Sequence, residues 1–248
     1  MIEVREIQKA FGGQQVLRGV SLSIPRGRIT AIIGRSGTGK SVLLKHLIRL
    51  LRPDRGQVLV DGVDVVPLRG RALDRVRAKF GMLFQGGALF DSMTVFDNVA
   101  FPLREKTRLP EPEVAARVCE RLEAVGLAEM GRKYPAEISG GMRKRVALAR
   151  ALVTDPEIVL FDEPTTGLDP IMLNAIHRLI ADTQQRFGFT GVVVSHDVPD
   201  VFEIAHQVAM LHEGTIVAAG PPEQVLQSDD PRVRQFITGS AEGPIRPT

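Results

Sequence analysis

The sequence predicts an α/β fold built on a mainly parallel sheet, and three observations carry that prediction. The runs "GRITAIIG" (Gly27 to Gly34), "EIVLFDE" (Glu157 to Glu163) and "TGVVVSHD" (Thr190 to Asp197) are apolar almost throughout, as strands buried on both faces are. Helical patterns separate them, and the N-terminal region instead alternates polar with apolar residues. In chain order, "IEVREIQKAF", "VSLSIP" and "GQVLVDGVDV" alternate and predict an antiparallel flank. "KSVLLKHLIRLL" from Lys40 reads as a helix ended by "RPDRG". From about Gly86 to Thr154 there is helical signal and little strand, notably "EPEVAARVCERLEAVGL" (Glu111 to Leu127), which predicts an inserted helical subdomain. The helix from Asp169 opens with Asp then Pro and closes at Gly188. The expected division is a core of 1–85 and 155–230, a helical insertion of 86–154 and a C-terminal extension of 231–248. The Gly/Pro/Ser tail "GSAEGPIRPT" is expected to be mobile unless a partner holds it.

With 248 residues, 44% of them hydrophobic, the chain can bury a full core. Its 32 basic residues are scattered among 29 acids for a net charge of +3, with no basic block, so the charge pattern argues against nucleic acid as a partner. A single cysteine, Cys119, excludes an internal disulfide and is expected as a small apolar residue on a helix. The opening "MIEVREIQKAF" is charged from its third residue, and the apolar runs fall short of a membrane span. The expected location is the cytoplasm, with any membrane supplied by a partner.

"GRSGTGKS", Gly34-Arg35-Ser36-Gly37-Thr38-Gly39-Lys40-Ser41, matches the phosphate-binding P-loop pattern between a predicted strand and a predicted helix. Its glycines let successive backbone N–H groups face phosphate oxygens. Lys40 would reach the terminal phosphates, and Ser41 would offer its hydroxyl to Mg²⁺. "IVLFDEP" supplies carboxylates at the end of an apolar strand: Asp162 for the metal and Glu163 to take the proton of an attacking water. Gln85 follows a strand-like run and could reach metal or water, though a lone glutamine is ordinarily a surface or capping residue. His196 ends the third core strand, on the edge where ligands bind. His46, His177, His206 and His212 lie on helices or near turns and are assigned no chemistry. "SGG" (Ser139, Gly140, Gly141) opens a helix and makes a second anion cradle; alone it would be a helix N-terminus with a capping serine.

Phe11, the loop Gly34 to Ser41, Gln85, "SGGM" at Ser139 to Met142, "LFDEP" at Leu160 to Pro164, "GLD" at Gly167 to Asp169, and His196 occur in one order. That order resembles the ATP-binding cassette ATPases over essentially the whole chain. The resemblance implies a P-loop NTPase core that binds ATP and Mg²⁺. It implies that Phe11 stacks on adenine, that Gln85 couples the metal site to a partner, and that Glu163 is the general base. Asp169 would cross a dimer interface, and His196 would hold the γ-phosphate and water. It also explains the two cradles, because Ser139, Gly140 and Gly141 of one protomer would close on the nucleotide held by the P-loop of a second copy. Met142 departs from the usual glutamine, so the clamp would rest on backbone N–H groups and Ser139.

"GALFDSMTVFDNVAFPLRE" (Gly87 to Glu105), "SGGM", "VVVSHDVPD" and "DPRVRQFITGSAEGPI" look like the ATPase subunit of bacterial Mla/Mce-type lipid transporters. That implies an inner-membrane permease, a periplasmic Mce-domain protein, a STAS-type regulator, phospholipid cargo, and a place on the cytoplasmic face of the inner membrane. Leu89, Phe90, Met93, Val95, Phe96 and Val99 lie where such ATPases receive the permease, and several of them must also serve the subdomain's own core. The tail after Pro231 would pack on the other protomer. The alternative reading is a cassette ATPase that regulates a cell-division or cell-wall-remodelling membrane partner without transport. A ribosome-acting ATPase would carry two cassettes, a chromosome-maintenance ATPase would carry a coiled-coil insertion, and a P-loop kinase would leave "SGG" and "GLD" unexplained.

Overall fold

The computed structural model describes residues 1–246. Two units divide the chain: Met1–Ala78 with the residues from Thr190 onward, and Lys79–Phe189. The first unit opens with β1 (Ile2–Phe11), β2 (Gln14–Ile24), β3 (Ile29–Ile33), α1 (Lys40–Leu47), β4 (Arg55–Val60), β5 (Val63–Asp64) and α2 (Gly70–Arg77). The second holds β6 (Phe80–Leu83), α3 (Val95–Lys106), α4 (Glu111–Ala124), α5 (Gly140–Leu152), β7 (Ile158–Asp162) and α6 (Pro170–Phe187). The chain then re-enters the first unit with β8 (Thr190–Ser195), β9 (Gln207–His212), β10 (Thr215–Gly220), α7 (Pro222–Leu226) and α8 (Pro231–Thr238).

In the first unit, β3 runs parallel to β8 on one side and to β9 on the other, with Ile29 opposite Gly191 and Thr30 opposite Gln207. Every residue of β3 and β8 is buried, which is why neither alternates in sequence. The flank is a four-stranded antiparallel sheet ordered β2-β1-β4-β5. The β9–β10 hairpin was not anticipated. "QVAMLH" and "TIVAAG" are apolar stretches of only six residues each, too short for periodicity to separate strand from helix.

The helix from Lys40 was expected to run to Leu51, but it stops at Leu47. Arg49 turns into the left-handed region at φ 57°, and Arg77 donates to the carbonyls of Ile48 and Arg49 at 3.3 and 2.8 Å. Arg77 thereby satisfies carbonyls at the helix end that another turn would have used.

In the second unit, β6 and β7 are parallel with Phe80 opposite Ile158, and all five residues of β7 are buried. Asp169 caps α6, Pro170 is its first residue, and Gly188 ends it at φ 71°, as the sequence implied. Cys119 sits on α4 but is exposed, so its expected role as an apolar packing residue is not the one it has.

The tail is held more closely than its composition suggests. Gln235 accepts from the Ile245 N–H at 2.7 Å and donates to the Ile245 carbonyl at 2.9 Å. Ile245 is buried, and the Arg35 guanidinium donates to the Arg246 carbonyl at 2.7 Å. The remaining tail residues, Pro247 and Thr248, lie outside the described residues. Gln235→Ala would orphan both Ile245 backbone groups, at about 1–3 kcal/mol for a buried group left unsatisfied. Amide exchange at Ile245 is expected to accelerate at least about tenfold with little change in the melting temperature. Unchanged protection would mean that burial of the Ile245 side chain alone holds the tail.

Candidate functional site

In the first unit the chain leaves β3 at Gly34, whose φ is 149° and where an added Cβ would stand 2.3 Å from the Leu211 carbonyl oxygen. Gly39 caps α1 in the left-handed region at φ 99°, and an added Cβ there would meet Val16 at 2.9 Å. Only glycine fits either place. α1 starts with no side-chain cap and no acid in its first turn, leaving N–H groups and the positive end of the helix for an anion. Lys40 is buried, and its ammonium donates to the carbonyls of Gly34 and Arg35 at 2.7 and 2.8 Å. Thr38 Oγ1 donates to the same Arg35 carbonyl at 2.9 Å. Ser36 and Gly37 at the loop tip are exposed, and Ser41 is half-buried. This donor set fits a polyphosphate. In the same unit, Phe11 ends β1 with 45% of its surface exposed and the Lys9 ammonium 5.2 Å from its ring centroid. His196 follows β8, with Nε2 at 3.7 Å from Asp197 Oδ1.

The second unit gathers the polar groups that end β6 and β7. Gln85 Nε2 donates to Glu163 Oε2 at 3.0 Å, and Thr166 Oγ1 donates to the same oxygen at 3.0 Å. Asp162 is the buried last residue of β7. Glu163 follows at φ 48°, a conformation that costs a residue with a Cβ about 1–3 kcal/mol and clusters at working sites. Ser139 caps α5 by accepting from the Met142 N–H at 3.2 Å, and Gly140 and Gly141 open a helix without an acid in its first turn. Asp169 Oδ1 accepts from the N–H groups of Ile171 and Met172, both at 3.0 Å. Both residues therefore have a local capping duty. Any nucleotide role would be additional.

The structure sorts the apolar residues after Gln85. Val95 and Val99 are core, Leu89, Met93 and Phe96 are half-buried, and Phe90 is exposed, as is Phe84, which the sequence reading did not single out. Asn98, also missed, is fully buried and ties this loop together. Its amide donates to the carbonyls of Phe90, Met93 and Thr94 at 3.0, 3.1 and 3.0 Å, and its oxygen accepts from the Phe90 N–H at 2.8 Å. Asn98→Ala would strand those groups. A stability loss of about 2–4 kcal/mol is expected by denaturant unfolding, and a loss under about 0.5 kcal/mol would mean that water replaces the amide.

The family model described as "ABC transporter" matches residues 17–166. The chain belongs to the ABC transporter family. Among its ABC relatives, the "Probable ribonucleotide transport ATP-binding protein mkl" of Mycobacterium leprae is 48% identical over 98% of this chain and 70% of the relative. The "Intermembrane phospholipid transport system ATP-binding protein MlaF" of Escherichia coli K12 is 44% identical over 99% of this chain and 91% of the relative. Of solved ABC structures, the dimeric bacterial cassette MJ0796 superposes with a TM-score of 0.82 at 32% identity, over 90% of this chain and 99% of that one. The cbiO1 subunit of a Clostridium perfringens transporter gives 0.85 at 31%, over 92% and 91%. The chain is an ATP-hydrolysing ABC cassette. Among the described residues, no helix is long and apolar enough to cross a membrane.

Proposed function

We propose that this ABC ATPase powers an inner-membrane transporter of phospholipids of the Mla/Mce type. The observation that carries the reading is identity of 44–45% to two MlaF proteins across 91–93% of their lengths. The shorter share of mkl that the chain covers, 70%, leaves MlaF the fuller match, and the name of mkl refers to ribonucleotide cargo. No cargo chemistry is visible in this chain's own residues, so cargo choice belongs to its membrane partners.

In this reading the nucleotide is held by Gly34 through Ser41, with Lys40 on the terminal phosphates and Phe11 against the adenine. Ser41, Asp162 and Gln85 hold Mg²⁺, which when bound offsets phosphate charge. Glu163 takes the proton of the attacking water, and His196 holds the γ-phosphate and that water. Ser139, Gly140, Gly141 and Asp169 serve the nucleotide of a second copy of the chain, so ATP closes the dimer and hydrolysis weakens it. Residues 86–154 act as the signature subdomain of a core formed by 1–85 and 155–230. The permease meets the exposed apolar residues near Phe84 and Phe90, an Mce-domain protein lies beyond it in the periplasm, and a STAS-type regulator binds the ATPase. The chain works on the cytoplasmic face of the inner membrane.

Affinity purification from detergent-solubilised native membranes, read by mass spectrometry, tests this. Recovery of a multi-span permease together with an Mce-domain protein is the expected result. A division-site membrane protein in their place, or no membrane protein, would overturn the transport reading and leave the ATPase assignment standing.

A further inference from the structure

Two basic side chains of α5 turn back onto the loop that carries Gln85. Lys144 is buried, and its ammonium donates to the Gln85 carbonyl. Two turns further on, Arg150 spans two carbonyls, donating to Gly87 and, at 2.6 Å, to Ala88. The loop is already tight: the Gly87 N–H donates to the Phe84 carbonyl at 2.7 Å, and Ala88 sits in the left-handed region at φ 47°. Charge-assisted bonds are the stronger class. The main chain of residues 85–88 is therefore fastened to the same helix whose N-terminus is Ser139, Gly140 and Gly141. Arg143, which directly precedes Lys144 on α5, points elsewhere and donates to the Ile138 carbonyl at 3.1 Å.

The other end of Gln85 completes a chain of contacts. Its main chain is gripped by Lys144, and its side chain donates to Glu163 Oε2. Burial pushes the Lys144 ammonium below its ordinary range, and the Glu163 carboxylate opposes that shift. A buried ammonium carries a desolvation cost that a bond to a neutral carbonyl offsets only in part.

We propose that Lys144 and Arg150 are positioning residues that make the 85–88 loop and α5 move as one piece, so that displacement of the Ser139 end of the helix resets the Gln85–Glu163 hydrogen bond. The inference rests on the reading of Glu163 as the base and of the "SGG" end of α5 as a clamp on the second nucleotide. It supplies the physical link by which closure at that clamp reaches the side chain that removes the proton.

The test uses the full chain in its native membrane complex and compares Lys144→Met, Lys144→Arg, Gln85→Ala and the double variant Lys144→Met/Gln85→Ala. The Met variant keeps the aliphatic stem and sheds the buried charge but leaves the Gln85 carbonyl without its donor, so its melting temperature is expected to fall by no more than a few degrees, about 3 °C. Its ATPase kcat is expected to fall about ten- to a hundredfold through misplacement of the site, while KM for ATP moves less than about threefold. Lys144→Arg is expected to restore most of the rate. In the Gln85→Ala background the same Lys144 substitution is expected to change kcat little, because the contact through which it acts is gone. Equal effects of Lys144→Met in both backgrounds, or wild-type kcat in Lys144→Met, would overturn the clamp. Should the Met variant fail to fold, Arg150→Lys, which cannot span both carbonyls, carries the same comparison. A near-normal rate in Glu163→Gln would instead sink the base assignment, so the two failures are distinguishable.

Discussion

Glu163→Gln is expected to bind ATP as the wild type does and to lose turnover by about 10²- to 10⁴-fold, the usual contribution of a positioned general base. The geometry makes this substitution clean. Gln85 and Thr166 both donate to Glu163 Oε2, and a glutamine carbonyl in that position accepts the same two bonds. Its amide cannot take a proton from water. At 1.36 kcal/mol per decade, the loss corresponds to roughly 3–5 kcal/mol of barrier. Single-turnover hydrolysis alongside equilibrium ATP binding checks it, and the variant is also expected to accumulate as an ATP-bound dimer by size-exclusion chromatography. Turnover within about threefold of the wild type would remove Glu163 from the role and return the residue to a strained strand end.

Lys40→Ala is expected to fail one step earlier, at nucleotide binding. A charge-assisted hydrogen bond to phosphate contributes about 1.5–3 kcal/mol, a roughly ten- to more than a hundredfold loss of ATP affinity. The side chain also closes its own loop through the carbonyls of Gly34 and Arg35, so its removal loosens the loop itself as well as its hold on phosphate. Lys40→Arg is not expected to rescue, because the planar guanidinium does not fit where a compact ammonium bridges two carbonyls. Isothermal titration with ATP separates this from the Glu163 variant. Normal affinity together with normal turnover in Lys40→Ala would contradict the phosphate contact. The pair of variants thus divides the site into a binding half and a proton-transfer half.

Features that depend on neighbours along the chain are legible in the amino-acid order alone. Continuous apolar runs marked β3, β7 and β8 because strands buried on both faces have no polar side to alternate. The spacing from Gly34 to Ser41 marked a glycine-rich strand-to-helix turn because its glycines answer local backbone demands, visible in the 2.3 Å approach an added Cβ would make at Gly34. Ser139 and Asp169 were legible as helix starts because a cap acts on N–H groups two or three residues away.

Which distant residues meet is visible only once the chain is folded. Gln85 and Glu163 are 78 positions apart in sequence, and Gln85 taken alone reads as a surface glutamine. Lys144 looks like one more cation on a helix until its ammonium is found buried on the Gln85 carbonyl. The same holds for Asn98, whose helical position says nothing of the four bonds it makes to the loop before it. It holds too for the tail, where composition predicts looseness and Gln235 supplies a two-point grip on Ile245. A side chain's local propensity is set by its own backbone. Its partners across the fold are set by where two separate elements come to rest, and residue type and short-range spacing do not encode that meeting.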